Sequence, residues 1–206
     1  MPRRRPAPAR DVPLVGGSLA VDFVNTTGAR GEQGERERLR TYADLLTWSR
    51  RVGLLDSGEK RRLGLLASRG PASARRVLSR VRKIRETLYR VLRAVAEAAP
   101  PPGDDLALLD RLLGLERRGY RLVPVDHPDR PGFELRREVD EKLDGMIWPI
   151  LASAAELLCS PRLTRLKPCG ECDWLFVDDS KNYSRLWCKK DCGDRVRARR
   201  HYARRK

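Results

Sequence analysis

Two close cysteine pairs near the end of the chain constrain it more than any other feature: Cys169 and Cys172, then Cys188 and Cys192. The pattern is C-x2-C, fifteen residues, C-x3-C, which is the spacing of a metal site. A C-x2-C turn presents two thiolates as a preformed corner, and four thiolates complete a tetrahedron around one Zn²⁺ at about 2.3 Å each. With every position taken by sulfur no place is left for water or substrate, so the metal is expected to be a structural staple.

The residues around the pairs say what the metal holds. The run DWLFVDD has strand composition, Trp174 to Val177, and ends in turn formers. KNYSRLW is expected to return as a second strand, giving a β-hairpin between the pairs. From Cys188 onward the chain has no proline and one glycine, which predicts a helix near 19 residues long. Cys188 and Cys192 would then lie one turn apart on one face, continued by Val196, Arg199 and Ala203. Knuckle, hairpin and helix together predict a treble-clef zinc finger.

The run from Cys169 onward resembles the CGNR zinc finger, a bacterial module. The matching positions are Trp174, Phe176, Asp178, Ser180, Asn182, Arg185, Trp187 and Cys188, then Cys192, Gly193, Asp194 and Arg195. Asp194 stands where the family has Asn, and a carboxylate there would repel phosphate. Upstream, GGSLAVDFVNT from Gly16 to Thr26 and MIWPILA from Met146 to Ala152 resemble the ABATE domain that precedes such fingers. The resemblance implies a stress-responsive transcription regulator.

Charge agrees with a polyanionic partner. The chain carries 44 basic and 28 acidic residues, a net charge of +16. From Lys181 to Lys206 eleven basic residues face two acidic ones. Lys181, Asn182, Arg185, Arg195, Arg197, Arg199, Arg200 and Arg204 are the expected nucleic-acid contacts, with double-stranded DNA the expected partner. Residues 1–13, rich in Pro and Arg, are expected to be a disordered tail. No apolar stretch follows them as in a signal peptide, and none is long enough for a membrane span, so a cytoplasmic protein with reduced, metal-binding thiols is expected. Cys159 reads as a small buried hydrophobe.

Residues 14–160 are expected to form a mostly helical α+β domain, and 161–206 the finger. ERERLRTYADLLTWSRRVGLL carries Leu39, Tyr42, Leu45, Leu46 and Val52 at helical spacing, and Asp56 or Ser57 caps the next helix. The longest helix opens at Pro71, with Val77, Val81, Ile84, Leu88, Val91 and Val95 as a stripe backed by Leu78 and Leu92. YRLVPV and FELRRE flank a turn at DHPDRPG as a small hairpin. Val139 to Leu158 returns to helical pattern, with a kink or break expected at Pro149.

Catalytic constellations are absent from the sequence. The two histidines, His127 and His201, are far apart in it, and no phosphate-cradling glycine loop, G-x-S-x-G or carboxylate cluster occurs. No enzymatic activity is expected. Asp22, Asn25 and Thr26 are the one polar group singled out on an apolar stretch, either as turn and cap hydrogen bonds or as the lining of a small-effector pocket. A finger that binds RNA or another protein stays open beside the DNA reading, with Tyr183 and Tyr202 able to stack on bases. No repeat or heptad run sets an assembly state, so a homodimer stays open.

Overall fold

A computed structural model describes residues 9–28, 30, 36–116, 120–125, 132–137 and 142–204. Seven α-helices and two small antiparallel sheets are found among them. Helix α1 (Leu19–Val24) is capped by Ser18, whose hydroxyl accepts from the Val21 amide. Helices α2 (Tyr42–Arg51) and α3 (Ser57–Arg69) each open with a capping box, Thr41 with Asp44 and Asp56 with Glu59. Helix α4 (Pro71–Ala96) starts with proline at its first turn, where no backbone donor is needed. Helix α5 (Gly103–Glu116) precedes the predicted hairpin, β1 (Tyr120–Val125) paired with β2 (Gly132–Arg137); the turn between them, with His127, lies outside the described residues.

Helix α6 (Ile147–Leu158) corrects the expected kink. Pro149 is its third residue, inside the first turn, and Leu143–Met146 forms a turn instead of a preceding helix. Cys159 caps the end of α6 and is exposed, not buried as expected. A 3-10 helix, Pro161–Arg165, then runs directly into strand β3 (Leu166–Pro168). The start of the chain brings a further correction. Ala9–Asp11 forms a 3-10 turn against α2, with Ala9 and Val12 fully buried, so residues 9–13 are not a disordered tail; residues 1–8 lie outside the described residues.

Helix α4 is the centre of the core. Leu78, Val81, Ile84, Leu88, Val91 and Leu92 are buried as the stripe predicts, while Val77 and Val95 are half-buried. Phe23 of α1 meets Trp48 of α2 at 5.6 Å between ring centroids. One residue on the buried face of α4 is charged: Arg85, 2% exposed. Its guanidinium donates to both Glu37 oxygens at 2.8 and 2.6 Å, to Glu86 at 2.8 Å and to the Thr26 hydroxyl at 3.2 Å. Burial alone would raise the Glu37 carboxyl, but the bonds from Arg85 reverse the sign and hold it below its ordinary value. A buried pair this well satisfied is costly to break by removing one partner. No helix among the described residues is long and apolar enough to cross a membrane.

Candidate metal centre and nucleic-acid interface

The finger is built from strands β3 and β4 (Leu175–Val177) and helix α7 (Lys190–Ala203). This corrects the expected hairpin. Strand β4 pairs antiparallel with β3, Leu166 opposite Val177 and Pro168 opposite Leu175, across the first cysteine pair. Residues 181–187 form turns and irregular chain, and no strand joins β4 from them. The expected hairpin between the pairs is not formed, and a treble clef is not established by these elements. Helix α7 is also shorter than predicted. Lys189 is its N-cap, so Cys188 precedes the helix and only Cys192 lies on its first turn.

The four cysteine sulfurs nevertheless converge, all lying within 4.8 Å of one another. Cys172 to Cys188, Cys188 to Cys192 and Cys192 to Cys172 measure 3.7, 3.6 and 3.8 Å. Sulfurs placed tetrahedrally at about 2.3 Å from one ion have edges of about 3.8 Å, so the site fits a single metal. The backbone amide of Cys188 donates to the Cys169 sulfur at 3.3 Å, and Arg195 donates to Cys192 at 3.1 Å. The thiols perturb one another strongly. Hydrogen bonds from Cys172 and Cys188 hold Cys169 low, while contact with Cys169 pushes Cys172 up to about 12 and Cys188 higher still. Four thiolates cannot share this space unless a cation neutralises them.

Behind the sulfurs, Asp178 organises the loop to the second pair. It is fully buried and accepts from the Lys167 ammonium at 2.7 Å, the Ser180 amide and hydroxyl at 3.1 and 2.5 Å, and the Arg185 amide at 3.0 Å. Burial would raise its pKa, yet these donors hold the carboxyl well below the usual range. Asp178→Asn should destabilise the zinc-loaded protein by about 2 kcal/mol, because an amide turns one acceptor into a donor facing donors. Urea midpoints of the two proteins check this.

The predicted contact residues divide into two groups. Arg185 is committed internally: its guanidinium lies 4.5 Å over the Phe176 ring and donates to the carbonyls of Trp187 and Cys188. Arg195 and Arg199 both grip Glu171, whose side chain is buried between the cysteines of the first pair. Arg197 pairs with Asp194 at 2.5 Å. Lys181, Asn182, Arg200 and Arg204 are exposed, and the three cations among them have no ion pair with the described residues. Lys190, not among the predicted contacts, joins them at the exposed start of α7. Tyr183 is 49% exposed but already carries the Arg165 guanidinium at 4.4 Å from its ring centre.

The motif from Gly16 to Thr26 has a role that sequence reasoning missed. Asn25, fully buried, donates to the Leu175 carbonyl at 2.8 Å and accepts from the Leu175 amide at 3.1 Å. Gly16 accepts from the Val177 amide at 2.8 Å. The motif therefore lies along the edge of β4 opposite β3, as a strand would. Gly16 must be glycine here: a Cβ would stand 2.7 Å from the Asp22 amide nitrogen. Asp22 accepts from the Gly16 amide at 2.8 Å, and its carboxyl is raised by burial. Thr26 donates to Phe23 and accepts from Arg85, and Trp174 donates to the Thr27 carbonyl at 2.8 Å. Asp22, Asn25 and Thr26 thus serve turn, docking and core hydrogen bonds, and none of them borders a cleft described here.

A cleft does open beside them. Gly28, Arg30, Arg36 and Arg38 form one wall, and the knuckle with the start of α7 forms the other. Arg38 is 8% exposed, and burial together with nearby Arg36 pulls its pKa down.

A four-sulfur corner fixing a two-stranded knuckle and a basic helix defines a zinc-finger protein. Residues 165–205 match the CGNR zinc finger, and residues 17–161 match the ABATE family, described as "Putative stress-induced transcription regulator". That second match covers well over half of the chain, so the protein belongs to the ABATE family, which carries that description. No curated protein gives a significant match to the chain.

Proposed function

We propose that the protein binds one Zn²⁺ through Cys169, Cys172, Cys188 and Cys192 and uses α7 and the preceding turn to bind double-stranded DNA as a transcription regulator. The observation that carries this is a set of cations, without an ion pair among the described residues, on a metal-anchored frame: Lys181 on the turn, Lys190 and Arg200 on α7, and Arg204 at its C-cap. Arg197 adds a fifth, since an exposed pair such as its own with Asp194 is worth little and yields readily to a phosphate. Phosphate contacts of this kind supply affinity, and base contacts supply sequence preference. Arg185, Arg195 and Arg199 support the frame and enter the interface less.

Five phosphate contacts predict that log K falls against log salt with a slope near −4.5, about 0.9 per contact. Raising salt from about 50 to about 200 mM should weaken duplex binding roughly 500-fold. Arg200→Ala with Arg204→Ala should reduce the slope by up to about 2 with zinc content unchanged. Fluorescence anisotropy on a labelled duplex, with single-stranded RNA in parallel, measures both. A protein with no duplex affinity sinks the reading, and tighter salt-dependent binding to the RNA moves it to that partner.

A further inference from the structure

The cleft between the knuckle and the wall of Gly28, Arg30, Arg36 and Arg38 has a volume of about 290 Å³, near the lower end for small-molecule sites. Five cations reach it: Arg30, Arg36, Arg38, Lys189 and Arg195. Its two carboxylates are already engaged. Glu171 is held by Arg195 and Arg199, and Asp173 accepts from the Arg30 amide at 3.1 Å and its guanidinium at 3.3 Å. Three cations are left over. Among the described residues Arg36 has no ion pair, and the ion pair of Lys189 is with the exposed Asp191, at 3.4 Å.

Arg38 is the decisive one. Its Nη1 reaches the Arg36 carbonyl at 3.3 Å, while its buried Nε has no hydrogen-bond partner among the described residues. A buried guanidinium donor left unsatisfied is costly, so little holds the charge of Arg38 beyond its contacts at the cleft. Arg38 and Lys189 also lie over one indole, that of Trp174, at 5.0 and 5.4 Å, which holds both in place. Cys172 and Cys192 also border the cleft, but sulfur is a weak acceptor and Arg195 already serves Cys192.

We propose that this cleft is a binding site for a phosphate group, held by Arg38, Arg36 and Lys189. Guanidinium and ammonium donors around one small volume suit a multiply charged oxyanion. The group belongs either to a small phosphorylated molecule or to a nucleic-acid backbone. Because one wall follows the segment that docks the finger and the other is the finger, the bound anion ties the start of α7 to the helical core.

The test is calorimetric titration of the zinc-loaded full chain with pyrophosphate at ionic strength matched with chloride. Saturable binding is expected, weakened about tenfold or more by Arg36→Gln and by Lys189→Gln. Arg36 is exposed, so its variant keeps the fold, and zinc content is measured in each protein. No saturable binding overturns the proposal. So does binding that ignores Arg36→Gln and Lys189→Gln but is lost on Arg200→Gln with Arg204→Gln. Competition with a labelled duplex separates the sources: displacement assigns the site to backbone phosphate, and simultaneous binding to a small molecule. A chain that binds pyrophosphate here but no duplex keeps this proposal while refuting the DNA reading.

Discussion

Stripping the metal is expected to melt the N-terminal helices together with the finger. Binding of a structural Zn²⁺ contributes about 10–16 kcal/mol to the folding of a finger, as much as the whole stability of an ordinary domain. A detachable finger would lose only its own structure. Here Trp174, Leu175, Phe176 and Val177 are buried in the same cluster as Phe23, Val24 and the apolar face of α4. Collapse of the sulfur corner releases β4, and with it the partners of Asn25 and Gly16. Chelation, or Cys188→Ser, should therefore reduce the far-ultraviolet helical signal by much more than the 14 residues of α7. Circular dichroism during titration with a chelator reads this directly. A loss no larger than α7 would show that the helical core stands without the metal.

The second large effect is expected from Asn25→Ala. The substitution leaves the amide and the carbonyl of Leu175 buried without partners, each at a cost of about 1–3 kcal/mol, so a loss of about 2–6 kcal/mol follows. Asn25→Asp should be nearly as severe, since it keeps the acceptor for the Leu175 amide but turns an oxygen toward the Leu175 carbonyl. Urea unfolding of the zinc-loaded proteins measures both. Unchanged midpoints would show that β4 does not depend on this edge.

What could be read in the sequence is what short-range chemistry encodes. The cap of α3, the proline start and the stripe of α4, and the β1–β2 hairpin each follow from residues a few positions apart. The cysteine spacing likewise points to one site. The pairing of β4 was hidden because its partner, Leu166–Pro168, lies in a stretch that reads as a linker. The Asn25 to Leu175 bond spans 150 residues, and nothing local marks it. Arg85 did leave a trace. It lies in the spacing of Leu78, Val81, Leu88 and Leu92, so an arginine on the buried stripe of a helix full of arginines was the signal of a buried ion pair. Arg38 and Glu171 left none, because their importance arises only where the two halves of the chain meet.

The run from the 3-10 helix Pro161–Arg165 straight into β3, with β4 bounded on both edges, has a kinetic consequence. A finger on a loose tether samples orientations at a surface by itself, whereas α7 can turn only when the whole body turns. Productive encounters with a long partner are then a small fraction of collisions, which places the association rate in the ordinary range for oriented docking. For the DNA complex proposed above, little further freedom is lost once α7 is seated, so differences in affinity among duplexes should be expressed in how long each complex lasts.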